Sequence, residues 1–233
     1  APPPREASIM KLYFHPASTT SRPVALFAAD HGIELEYRVV DLFAGEQAQP
    51  AFGAINPNQA VPVLEDGDFR LTESSAILKY LADKAGSAAY PRELQQRSRV
   101  NERMDWFNTS LSRELCYGFL YPQIIPAHKR PDDHAQQQTI AWSRRNATRW
   151  LSVLNDRWLG DNRYVCGERL TIADYLGIAQ LTMGEVARLD YSRWPNVARW
   201  IELMKDRPTW ARVNEAFYKL LVQPSAHVQF EPL

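Results

Sequence analysis

Residues 61–81 read Val61-Pro62-Val63-Leu64-Glu65-Asp66-Gly67-Asp68-Phe69-Arg70-Leu71-Thr72-Glu73-Ser74-Ser75-Ala76-Ile77-Leu78-Lys79-Tyr80-Leu81. Two runs, Val61–Leu64 and Phe69–Leu71, flank Glu65-Asp66-Gly67-Asp68. Asp-Gly in such a connection predicts a β-hairpin. Ser74 stands where a helix cap is expected, and apolar residues follow it at helical spacing as far as Leu81. The stretch is read as strand, strand, helix.

Upstream the same alternation continues. Lys11-Leu12-Tyr13-Phe14 is a short β-prone run, and Ser21-Arg22-Pro23 opens an apolar helix through Ala29, proline being favoured in a first turn. Glu36–Val40 reads as a second strand. The order is βαβ, a middle segment left open, then ββα, which implies one small mixed sheet with helices packed on it.

Beyond residue 84 the composition changes. All seven tryptophans lie past residue 100. Residues 10–84 carry six Lys/Arg against ten Asp/Glu, whereas 85–233 carry twenty against sixteen. Ala85-Gly86-Ser87-Ala88-Ala89 leads to Tyr90-Pro91 and is read as a linker over 85–93. Prolines are absent from Arg92 to Tyr121 and from Asp132 to Trp194, room for uninterrupted helices. Leu170-Thr171-Ile172-Ala173-Asp174 reads as a helix start with a shortened capping box. The expected organisation is a tail over 1–9, a sheet-containing domain over 10–84, the linker, and an all-helical domain over 94–233.

The 233 residues are 45% hydrophobic and 23% charged, the composition of an ordinary soluble globular protein. With 27 basic and 27 acidic side chains the net charge is zero, which argues against a broad nucleic-acid-binding surface. No apolar run is long enough to span a bilayer, so no membrane is expected. Cys116 and Cys166 make no disulfide framework and point to a reducing, cytoplasmic setting. Neither lies in a Cys-x-x-Cys pair, which argues against a thioredoxin-type oxidoreductase. The proline-rich start lacks the apolar core of a secretory signal.

Three clusters carry candidate chemistry. His15-Pro16-Ala17-Ser18-Thr19-Thr20-Ser21-Arg22 sets hydroxyls between a strand end and a helix start, where unpaired N–H groups and the helix dipole welcome an anion. Asn56-Pro57-Asn58-Gln59-Ala60-Val61-Pro62 places proline against a strand. If that bond is cis, Val61 can offer its N–H and C=O to an extended peptide. Leu71-Thr72-Glu73-Ser74 sets a carboxylate and a hydroxyl before a helix, a fit for an amino-acid head. Each fragment alone is accounted for by helix capping or turn chemistry without any ligand.

Taken in order, these motifs resemble the cytosolic glutathione transferase family, closest to theta-like bacterial members, with a phi-like note in His15-Pro16-Ala17-Ser18. The resemblance runs from Met10 to about Phe217 and includes Tyr90-Pro91 and Leu170–Asp174. It implies a thioredoxin-like α+β N-terminal domain (βαβαββα), an all-α C-terminal domain and usually a homodimer. It further implies glutathione as co-substrate, no metal, and conjugation to small hydrophobic electrophiles. By motif position Ser18 matches the serine that activates the glutathione thiol, and Val61 before Pro62 matches the residue pairing with its cysteinyl backbone. Glu73 and Ser74 match the pair holding the γ-glutamyl head, and Gln47 falls near the glycyl carboxylate.

Two departures stand out. Ala60 and Gln47 occupy places where family members often carry Lys, Gln or His toward the glycyl end. The electrophile pocket is expected between the domains, with His15, Trp106, Ser110, Tyr117 and Phe119 as candidate lining and Phe107 beside them. Phe217, Tyr218 and Phe230 are candidates to close it, and Arg22 is given no definite role. Dehalogenation or peroxide reduction on the same site, and a non-catalytic binding module of the same fold, are the competing readings.

Overall fold

The computed structural model describes residues 9–233, so all of the expected tail but Ile9 lies outside the described residues. β1 (Met10–Phe14) runs parallel to β2 (Leu35–Val39) and antiparallel to β3 (Val63–Asp66), which pairs with β4 (Phe69–Thr72), giving the order β2-β1-β3-β4. The hairpin between β3 and β4 turns at Gly67, whose φ of 60° is open to glycine at little cost. β3 begins two residues later than the apolar run suggests, because Pro62 has no N–H to give the ladder. β2 likewise starts and stops one residue before Glu36–Val40.

Three helices complete this half: α1 (Ser21–Asp30), the short α2 (Pro50–Gly53) and α3 (Ser74–Lys84). The middle segment left open is a 3₁₀ turn at Glu46–Ala48 followed by α2. Ser74 is the first residue of α3 rather than its cap. The capping position belongs to Glu73, held at φ 65°.

The second half is helical. α4 (Leu94–Trp106) continues through π-helical turns at Phe107–Leu111 and Arg113–Leu120 into α5 (Tyr121–Ile124). α6 (Asp133–Val153), α7 (Ile172–Thr182), α8 (Pro195–Lys205) and α9 (Trp210–Phe217) follow. Every residue of α7 is buried, so its start must satisfy its own polar groups. Asp174 does this: its carboxylate accepts from Thr171 N–H, Thr171 O–H, Val165 N–H and Trp200 Nε1–H at 2.9–3.0 Å. Among the described residues no helix is long and apolar enough to cross a membrane.

One continuous core joins the halves. Leu12 and Leu64 of the sheet, Phe27 of α1 and Ile77 of α3 share a fully buried cluster with Met104, Phe107, Tyr175 and Trp200. Each such side chain contributes about 1.5–3 kcal/mol of burial. α1 packs against α3 of its own half and against α7 and α9 of the helical half. The chain leaving β1 therefore enters α1 at the seam between the halves, which is where the site forms.

Candidate active site

The turn between β1 and α1 is built from its own side chains. Ser18 Oγ accepts the N–H groups of Thr20 and Ser21, each at 3.2 Å, and the Ser18 carbonyl accepts Arg22 N–H at 3.0 Å. Ser18 thus satisfies two donors that α1 leaves free at its start. Its hydroxyl lies 3.0 Å from that of Thr20, and Thr20 Oγ1 donates to the Val61 carbonyl at 2.8 Å. His15 Nδ1 accepts Ala17 N–H at 3.2 Å, so the neutral ring carries its proton on Nε2. Burial lowers the His15 pKa from its ordinary value.

The Val61–Pro62 bond is cis. The loop before it is fixed by buried Asn56, whose side chain donates to the Ala60 carbonyl at 2.7 Å and accepts Asn58 N–H at 3.0 Å. Thr72 pairs with Val63, so Glu73 and Ser74 sit beside the Val61–Pro62 turn.

A cavity of about 390 Å³ opens over this corner. From the sheet-containing half it is lined by His15, Ala17, Ser18, Thr19, Thr20 and Val61 and by Leu42, Phe43, Gln47, Gln59 and Ala60. The Gln47 amide oxygen is buried and finds no hydrogen-bond partner among the described residues. The helical half supplies Tyr117, Tyr121, Ile125, Ala127, His128, Met183 and Leu221. Tyr117, Tyr121 and His128 form a cluster of mutually inclined rings with centroids 4.9–5.8 Å apart. Burial raises both tyrosine pKa values, and burial followed by Arg130 lowers that of His128. Near neutrality this wall is uncharged. Glu73 and Ser74 do not line the cavity.

The profile described as "Glutathione S-transferase, N-terminal domain" matches residues 8–83, and "Glutathione S-transferase, C-terminal domain" matches 120–208. Human glutathione S-transferase theta-1 is 33% identical over 195 residues, covering 82% of this chain and 80% of that protein. The chain belongs to the glutathione S-transferase family. Mouse glutathione S-transferase theta-3 is 31% identical over 218 residues, 90% of this chain and 86% of its own. The structure of human glutathione transferase theta-2, described as a complex with glutathione and an unknown ligand, superposes with TM-score 0.80 at 29% identity, covering 96% of this chain and 93% of that one.

As a glutathione S-transferase the chain shows where sequence reasoning about the pocket departs from the fold. Trp106 packs instead against Trp150 and Trp158, with ring centroids 6.2 and 5.9 Å away. Phe119 is fully buried, and Ser110 does not line the cavity. Trp106 and Tyr117 are eleven residues apart, about three turns of α-helix, and would share a face if the helix were unbroken. The π-helical turns between them rotate that register. Of the C-terminal candidates, Phe217 is fully buried and Phe230 packs against Arg188 in a separate cavity. Leu221 reaches the site in their place.

The cavity also contains residues to which the motifs gave no role. Gln59, at φ 52°, lines the cavity beside Gln47. Tyr121 and His128 come from α5 and the turn after it, where no local pattern marks them. Both cysteines are removed from the site's chemistry. Cys116 is buried with its thiol pushed up to about 12 by burial, and burial pushes Cys166 up to about 12 as well. Among the described residues no group of three or more His, Cys, Asp or Glu converges to hold a metal ion.

Proposed function

We propose that this chain joins the sulfur of glutathione to small hydrophobic electrophiles, with the Ser18 hydroxyl stabilising the thiolate. A thiol with pKa near ~8.5 is mostly protonated at neutrality, yet the thiolate is the nucleophile. Lowering that pKa by two units requires about 2.7 kcal/mol of preference for the anion. A hydrogen bond to a charged acceptor contributes about 1.5–3 kcal/mol, and a helix N-terminus about 0.3–1. Together they suffice. The observation that carries the reading is the occupancy of the Ser18 oxygen: two backbone N–H groups already point at it. What Ser18 has left to offer is its proton, so it serves as donor and not as base.

The rest of the tripeptide follows the corner's geometry. Its cysteinyl backbone is assigned to the N–H and C=O of Val61, next to Pro62, and its γ-glutamyl head to Glu73 and Ser74. The glycyl carboxylate falls to the neutral amides of Gln47 and Gln59. The electrophile then lies against Tyr117, Tyr121, His128, Met183 and Leu221, an uncharged wall suited to neutral apolar molecules. His15 sits at the edge of both halves of the site.

The test is Ser18→Ala, assayed with glutathione and a chromogenic aryl halide. The variant is expected to stay on a glutathione column while turnover falls about 10–100-fold, equivalent to about 1.4–2.7 kcal/mol. Wild-type turnover in this variant removes Ser18 from the role. We also assign the chain a homodimeric state in a reducing, cytoplasmic setting. Sizing chromatography should then give about twice the chain mass of 26.7 kDa.

A further inference from the structure

We propose that Thr20 is a positioning residue: it holds the resting proton of Ser18 and tethers the Val61 carbonyl, so that one side chain governs both sulfur activation and tripeptide binding. The proposal rests on Ser18 being the donor to the thiolate.

A hydroxyl has one proton to donate. The Thr20 hydroxyl commits its proton to the Val61 carbonyl oxygen at 2.8 Å, an atom that can only accept. In the 3.0 Å contact with Ser18, Thr20 must therefore be the acceptor and Ser18 the donor. The Ser18 oxygen is meanwhile pinned by the N–H groups of Thr20 and Ser21. The direction of each bond is fixed: Ser18 to Thr20, and Thr20 to Val61.

An arriving thiolate changes this chain at one point. A charged acceptor draws a hydroxyl proton more strongly than a neutral oxygen does, so Ser18 turns from Thr20 to the sulfur. While the thiol is neutral, Ser18 keeps its bond to Thr20. Ionisation breaks that bond. Thr20 therefore favours the protonated thiol and opposes part of what Ser18 achieves, keeping Ser18 ordered until an anion is present. Its other end acts in the opposite sense on affinity. The donated bond spans 41 positions of chain and holds the Val61 carbonyl, to which the cysteinyl N–H of the tripeptide is assigned.

Thr20→Val removes the hydroxyl at nearly constant volume, and Thr20→Ser keeps it. The two readouts are the pH titration of the bound thiolate by ultraviolet absorbance and the dissociation constant of glutathione. Thr20→Val is expected to lower the thiol midpoint by about 0.5–1 pH unit, the equivalent of one neutral hydrogen bond, while weakening glutathione about 3–10-fold. Thr20→Ser restores both. In a Ser18→Ala background, Thr20→Val should no longer move the midpoint but should still weaken binding. A Thr20→Val protein with wild-type midpoint and affinity, or with a raised midpoint, overturns the proposal. A wild-type midpoint in Ser18→Ala alone instead removes Ser18 as donor, and the resting-proton half of the proposal falls with it.

Discussion

The Arg22 guanidinium carbon lies 3.8 Å from the centre of the Phe217 ring, stacking the second residue of α1 on the last residue of α9. The cation is almost wholly buried and has no carboxylate partner among the described residues. It donates instead to Asn214 Oδ1 at 2.9 Å, the Ala179 carbonyl at 2.9 Å and Thr182 Oγ1 at 3.2 Å. Burial lowers its pKa to about 10, which leaves it charged at neutrality. Arg22→Ala discards the stacking and strands three buried acceptors, while relieving the desolvation of the charge. The net loss of unfolding free energy should be about 3 kcal/mol, read from the urea midpoint at constant slope. A midpoint unchanged from wild type would show that the packing of α9 does not depend on this cation.

Asp174 provides a pH signature. Burial outweighs the four hydrogen bonds it accepts and raises its pKa from 3.8 to about 6. A folded-state pKa above the unfolded value means that the native protein binds the proton more readily. The stability associated with this group is therefore fully present below about pH 4 and is lost as the pH climbs through about 6. The difference in unfolding free energy between wild type and Asp174→Asn should slope downward across that window and run flat above pH 7. A flat difference throughout would show that Asp174 titrates normally.

The two thiols should be inert while the protein is folded. Both are pushed up to about 12 by burial, so their thiolate fraction is negligible at neutral pH. Iodoacetamide at pH 7.5, followed by intact mass, should leave the native chain unmodified over a period in which the urea-unfolded chain gains two adducts. Cys166 is only partly buried, so rapid native labelling there would show that its thiol ionises more readily than its surroundings imply.

Gly177 and Phe107 form a tight pair. A Cβ at Gly177 would clash with Phe107 Cζ, and the ring is fully buried in a close-packed interior. Gly177→Ala is expected to cost about 1–3 kcal/mol of stability by overpacking. Adding Phe107→Leu should recover part of that loss, which thermal melts of the two single variants and the double variant would measure. Additive losses would place the strain elsewhere.

Much of the sheet-containing half is visible in local sequence. Asp66-Gly67 marks the hairpin and Ser21-Arg22-Pro23 the start of α1, and in the helical half Thr171 with Asp174 marks the start of α7, because each depends on residues a few positions apart. Ser18, Val61 and Gln47 reach one cavity because the end of β1 and the start of β3 meet at the same end of the sheet. The opposite wall was not legible. Its choice of Tyr117 over Trp106, Ser110 and Phe119 depends on π-helical turns that no spacing rule forecasts. Tyr121, His128 and Leu221 come together only through tertiary packing. Arg22 carried no local signal either, since its acceptors lie more than 150 residues downstream.

That distance has a consequence for exchanging parts between relatives. The first turn of α1, which carries the Ser18 corner, is fastened by groups more than 150 residues downstream. A chimera that joins this N-terminal half to a foreign helical half would have to import Thr182, Asn214 and Phe217 as a set. Without them it would inherit a stranded cation beneath the Ser18 turn.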